Sequence, residues 1–204
     1  MRVEEHLVAA EPGSGGNASA SVGVWRAPSL ARNAALVTAG SIAVAVAAQI
    51  SVTVPGSPVP VTAQTFALLL VGIALGARRG ALALALYLLE GALGLPVFAG
   101  GAAGPGAFVG PSAGYLLAFP PAAFIAGALA TPRSSWVRVT IASLASHAVV
   151  FAFGLAWLAR FVGVESVIAA GLVPFLPGEV LKIAATVLSL RAASFARRGG
   201  ETNR

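Results

Sequence analysis

The sequence predicts an all-α membrane protein, a compact bundle of six transmembrane helices with a ligand pocket near the outer face. Three observations lead there. Hydrophobic residues make up 57% of the 204 positions and charged ones only 10%, against about 25% charged in soluble domains. The apolar residues fall in long blocks, divided by connectors bearing Pro, Gly or Arg. One stretch, residues 172–186 (LVPFLPGEVLKIAAT), sets an acid and a base, Glu179 and Lys182, into an otherwise apolar run. Ionisable groups at membrane depth cost roughly 2.5–3.5 kcal/mol each on insertion, so by default they face a protein interior or a watery cavity.

Residues 1–28 are polar and rich in Gly, Ser and Ala, and read as a flexible tail. A signal peptide is not expected there. Residues 7–10 are too short for its apolar region, and Glu4 and Glu5 stand where basic residues belong. The membrane domain is expected over 29–196, with a second tail over 197–204.

The first apolar block, 30–54, carries Ala35, Ala39, Ala43 and Ala47 at a four-residue repeat. On a helix these form a narrow stripe that another helix can approach closely. An Ala-rich chain also produces such stripes by chance. Residues 52–65 hold three prolines and no charge, which suits a loop on the trans side or one that dips into the membrane. Within it Thr62 reads as a helix cap and Gln64 as a ligand candidate. The second block, 64–77, is short for a ~30 Å bilayer at about 1.5 Å per residue. Arg78, Arg79 and Gly80 are expected to make a tight basic turn. The third block, 81–95, contains Tyr87 and Glu90, an acid that either borders a pocket or reaches the interface. Residues 96–112 form an uncharged Gly-rich loop, able to turn tightly and to cover a site.

The fourth block, 113–130, should kink at Pro120 and Pro121. A basic connector over 131–138 follows, with Trp136 as an interfacial anchor. The fifth block, 139–159, includes Ser146 and His147, the latter read as a satisfied packing residue. The sixth, 174–195, contains the charged motif. Six spans put both termini on one side, and that side receives nine arginines, Arg78 and Arg79 among them. The opposite side receives mainly Arg160 and Glu165. The positive-inside rule therefore puts both termini in the cytoplasm of a cell (inner) membrane protein.

Several function classes are excluded. There is no Cys, so disulfides and thiolate chemistry are absent. Two His and no His-rich cluster predict no metal site. No P-loop or HExxH motif is present. The net charge of +6 comes from arginines that flank apolar blocks, not from a nucleic-acid patch. Ser146 and His147 face directions ~100° apart on one helix and form no dyad together.

Binding or transport remains. Pro177 fits the first turn of a helix, where its missing N–H is no loss. Glu179 then lies near the positive end of the helix dipole, and Lys182 projects from the same face. The pair is either a ligand anchor or an i,i+3 ion pair that only supports the helix. A ligand for this pocket should be largely apolar with one or two polar ends.

PGSPVPVTAQTFALLLVG, GARRGALALALYLLEGALGLPVFAGG, GPSAGYLLAFP and PFLPGEVLK occur in this order and spacing. They resemble the BioY family, the substrate-binding subunits of energy-coupling-factor biotin transporters, over roughly residues 33–193. The resemblance implies a six-helix bundle that captures biotin from outside and binds no cofactor. It also implies partners: a transmembrane coupling subunit and two ATPase subunits, with Ala35, Ala39 and Ala43 resembling the surface that packs on the coupling subunit. Polar ligand contacts would fall on Glu179 and Lys182, beneath the outer loops. The family commonly has Asp where this chain has Glu179, one methylene longer. One expectation is that Glu179 accepts a ureido N–H while Lys182 holds the valerate carboxylate; in the reverse, Lys182 donates to the ureido oxygen. Tyr115, Gln64, Tyr87 and Glu90 are further ligand candidates. Membrane lipid is the expected surrounding, and homo-oligomers are left open. Alternatives are a subunit for another vitamin, an intramembrane enzyme built on His147, and a membrane scaffold with an inert pair.

Overall fold

The computed structural model describes residues 30–201. The predicted tail over 1–28 lies outside them. Helix α1 spans Leu30–Ala48, α2 Gln64–Leu75 and α3 Ala77–Ala92. Helices α4 (Ala113–Leu117) and α5 (Phe119–Leu129) form one kinked rod, followed by α6 (Trp136–Val162), the short α7 (Val167–Gly171) and α8 (Leu176–Glu201). With α7 set aside, six helical rods form an all-α bundle. Three segments, Leu30–Ala48, Trp136–Val162 and Val167–Ala193, are long and apolar enough to cross a membrane by themselves.

Glycine and alanine let the rods approach closely. A Cβ added at Gly80 would lie 2.8 Å from the Gly72 Cα, and one at Gly72 2.7 Å from the Ala123 carbonyl oxygen. That brings α2, α3 and α5 together at backbone contact. Gly40 does the same for α1, where a Cβ would meet Ala83 at 2.9 Å. The inward face of α1 is Gly40, Ser41, Val44 and Ala48. Ala35, Ala39 and Ala43 lie on its exposed side.

The kink falls where the prolines require it. Pro120 and Pro121 have no N–H to donate to Leu116 and Leu117, so the ladder breaks at Ala118 and resumes with Ala122 N–H to Ala118 O at 2.9 Å. Several boundaries differ from expectation. α1 stops at Ala48, and the chain enters a two-stranded hairpin, β1 (Ser51–Val52) with β2 (Val61–Thr62). Arg78, Arg79 and Gly80 are not a turn. They open α3, and Gly76, at φ +81°, makes the turn alone. Helix α8 runs on to residue 201, through the first residues of the expected tail. The extra helix α7 has too few residues to leave a periodic signal.

Candidate functional site

A cavity of about 280 Å³ opens between the hairpin, the 96–112 loop and helices α2, α4, α5, α6 and α8. That is near the lower end of small-molecule pockets, ~300–1,000 Å³. Its walls are mostly apolar and aromatic, including Phe98, Tyr115, Phe119, Phe151 and Phe175. Its charged groups are Glu179 and Lys182.

Helix α8 delivers that pair. Pro177 is its second residue, and Glu179 N–H closes the first turn on Phe175 O at 2.9 Å. Glu179, Thr186 and Leu190 recur at helical spacing as its buried face, and Phe175, just before the helix, is buried with them. Glu179 is 5% exposed, and the Lys182 side chain 15%. Lys182 is the only lysine in the chain. Its Nζ lies 2.7 Å from Glu179 Oε1. Thr65, in the first turn of α2, joins them: its hydroxyl donates to Glu179 Oε2 at 2.9 Å and accepts from Lys182 Nζ at 3.1 Å. His147 reaches the same carboxylate from α6, with Nε2 2.6 Å from Oε2. Glu179 thus receives partners from α2, α6 and α8, so its orientation is fixed by three separate elements.

The predicted candidates separate into three groups. Glu179, Lys182, Gln64 and Tyr115 line the cavity. Tyr87 does not: it is fully buried behind Gln64, whose Nε2 donates to its hydroxyl. Gln64 in turn accepts from Thr62 at 2.9 Å, and Thr62 accepts from the Gln64 N–H at 3.3 Å, although the N-cap position of α2 is held by Ala63 and not by Thr62. Glu90 also lies outside the lining and accepts from Ser41 on α1. Tyr115 offers its ring to the cavity but not its hydroxyl, which donates to Gly171 O at 2.8 Å. The ring stacks on Phe175 at 6.0 Å.

Two participants are not among the candidates chosen from the sequence. Thr65 is one of three polar groups of the 52–65 stretch, with Thr62 and Gln64, that could either cap the next helix or point into a cavity, and Gln64 is preferred to it there. His147, read as a packing residue, is buried but bound to the central carboxylate. The available signal was its place on the Ser143, Ser146, Val150 and Gly154 face of α6. Among the described residues no serine hydroxyl bonds to the His147 ring. Ser143 Oγ donates to Val139 O and Ser146 Oγ to Ala122 O, both at 2.8 Å.

The 96–112 loop is anchored to the bundle. Phe98 is 2% exposed and meets Tyr87 edge-on at 5.5 Å and Phe108 at 5.7 Å. Gly91 leaves room for the Phe98 ring, and Gln49 Nε2 lies 3.3 Å from Phe98 O. Gly104 N–H donates to Gly91 O at 2.7 Å.

Glu179 and Lys182, 2.7 Å apart, present an acceptor and a donor side by side on the cavity wall.

Known proteins share this plan. Residues 17–198 match the BioY family. A probable biotin transporter BioY from Pyrococcus horikoshii is 41% identical over 70% of this chain and 84% of its own length. The biotin transporter BioY of Thermotoga maritima is 35% identical over 76% and 94%. A crystal structure of the S-component for biotin from an ECF-type ABC transporter superposes with a TM-score of 0.71, at 24% identity, over 80% of this chain and 91% of that one. That last likeness speaks for the fold. With its match over most of the sequence, this membrane protein belongs to the BioY family.

Proposed function

We propose that this chain is a biotin-binding membrane subunit that captures biotin outside the cell and mediates its uptake with an ATP-driven module. The observation that carries the reading is an ion pair in the wall of a largely apolar cavity. A urea edge offers an N–H beside a C=O. Glu179 would accept the N–H, and Lys182 would donate to the oxygen. The thioether ring and aliphatic chain then lie along Tyr115, Phe151 and Phe175, in the apolar remainder of the cavity. Gln64 supplies a further polar contact.

The relatives are named as transporters rather than enzymes, and the hydroxyls near His147 are committed to backbone carbonyls. Substrate would therefore be carried unchanged. The sequence has no P-loop, so ATP hydrolysis would come from two ATPase subunits through a transmembrane coupling subunit. Ala35, Ala39 and Ala43, on the exposed side of α1, are the candidate contact with that subunit. The arginine distribution favours cytoplasmic termini in a cell (inner) membrane. The gate would be formed by 52–63 and 96–112, both of which line the cavity. Crosslinking both to the bundle should block ligand exchange, and undiminished exchange would remove them from that role.

Calorimetry of the purified chain in detergent tests the substrate, with desthiobiotin and thiamine as comparisons. Tight binding of biotin is the expected result. A folded protein that binds none of the three refutes the reading, and preference for thiamine would favour a subunit for another vitamin.

A further inference from the structure

His147 sits behind Glu179, outside the cavity lining. Its ring is 6% exposed, and both nitrogens are engaged. Nδ1 lies 2.8 Å from the carbonyl oxygen of Ser143, and Nε2 lies 2.6 Å from Glu179 Oε2. A carbonyl oxygen only accepts, so Nδ1 must carry a proton. A neutral imidazole then has a bare lone pair on Nε2. That lone pair faces a carboxylate oxygen, which also only accepts when ionised. Two acceptors at 2.6 Å inside a protein would repel each other with little water to screen them. Flipping the ring puts carbons where both nitrogens stand and forfeits both bonds. A neutral His147 beside an ionised Glu179 is one proton short of what these contacts need.

We infer that the His147–Glu179 contact holds a proton, and that through it His147 is the positioning residue that aims Glu179 at the ligand. The proton sits on Nε2, giving an imidazolium, or on Glu179 Oε2. In either form the bond is charge-assisted or strongly polarised, and it locks the carboxyl group against Thr65 and Lys182. Without that proton the contact turns repulsive and Glu179 is pushed off its aim. The surrounding elements leave few competitors for the role. α8 contributes Glu179 and Lys182, its Arg191, Arg197, Arg198 and Glu201 following at least twelve residues after Glu179, and α4 only Tyr115, whose hydroxyl is held by Gly171. α2, α5 and α7 carry no titratable side chain. Arg138 and Arg160 lie towards the two ends of α6. The proton assignment stands on hydrogen-bond geometry alone; the positioning role rests on the proposed binding of biotin by Glu179.

Two measurements test the inference. The chain has two histidines, so the His6→Gln protein gives a 15N imidazole spectrum of His147 alone, recorded without ligand. The expected result is a ring with both nitrogens protonated, or an Nδ1–H ring together with a glutamic-acid signal in the 13C carboxyl spectrum that Glu179→Gln removes. A neutral ring beside an ionised Glu179 overturns the proton assignment. Biotin affinity is then compared in two variants. His147→Ala should bind about 10- to 100-fold more weakly, the scale of one hydrogen bond to a charged group. His147→Gln, whose amide can donate to Glu179 without an added proton, should recover most of that loss. Undiminished affinity in His147→Ala overturns the positioning role, as does a His147→Gln protein that is folded yet as weak as His147→Ala. A wild-type chain that binds no biotin would refute the proposed function instead, while the ligand-free spectrum would still decide where the proton lies.

Discussion

Glu90 and Glu179 both sit in apolar stretches of the bundle's helices, and they keep different company. Glu179 receives an ammonium, a hydroxyl and an imidazole from three helices, and it borders an open cavity. Glu90 is partly buried on α3, away from that cavity, and accepts the hydroxyl of Ser41 across the α1–α3 contact. Both are acids in apolar surroundings, and both had the same claim to function at membrane depth. What separates them is the space beside them and the number of elements that meet there. Glu90 joins two helices, whereas Glu179 joins three and also lines a cavity.

The sharpest way to break that contrast is to truncate the pair. Glu179→Ala and Lys182→Ala should each lower biotin affinity at least about 30-fold, because removing one partner of a buried, hydrogen-bonded pair costs about 2–5 kcal/mol. The double variant should lose less than the sum, since each single variant strands the other's charge. Two untouched affinities in calorimetry would end the assignment of the site.

The cavity wall is the next target. A Cβ at Gly91 would enter the Phe98 ring, and one at Gly154 the Tyr115 ring. Overpacking of this kind costs about 1–3 kcal/mol. Gly91→Ala and Gly154→Ala should therefore weaken biotin binding by about tenfold as the rings move into the cavity. An unaltered Kd in both would mean that those rings do not shape the ligand space. Tyr115→Phe should act more on the fold than on binding. It leaves the Gly171 carbonyl without its donor, worth about 1–3 kcal/mol if the carbonyl stays dry. A lowered Tm with nearly unchanged affinity is the expected pattern, and the opposite pattern would make the hydroxyl a ligand contact.

Much of this was legible in the chain. Apolar blocks separated by Pro, Gly and Arg outlined the helices, and Pro120 and Pro121 marked the kink. The PGEVLK segment fixed Glu179 and Lys182 three residues apart on one helix face, and the structure brings them to 2.7 Å. What the sequence hid was rotation and distance between helices. Tyr87 and Tyr115 look alike as aromatics in apolar runs. Which of them meets the cavity depends on how α3 and α4 are turned, and glycine contacts such as Gly72 with Gly80 govern how closely helices meet. His147 could be located on α6, but its approach to a carboxylate 32 residues later is a tertiary fact. The boundary errors have local causes. Arg78 and Arg79 look like loop residues, yet arginine is a good helix former, and Gly76 alone supplies the positive φ the turn requires.

The smallest expected effect belongs to Glu90. In Glu90→Gln the side-chain carbonyl can still accept the Ser41 hydroxyl, so the α1–α3 contact survives without its charge. Stability should change by no more than about 1 kcal/mol, the net worth of an ordinary hydrogen bond. Biotin affinity should stay within about twofold, because the residue lies outside the cavity lining. Ser41→Ala is the harsher version, since it removes the donor and leaves the carboxylate to find another. It should lower Tm measurably and still spare the Kd. If Glu90→Gln cost as much affinity as Glu179→Gln, the two carboxylates would be equivalent after all. Ligand binding would then have to reach α1 and α3 through a movement of the whole bundle rather than through contact in the wall of a cavity.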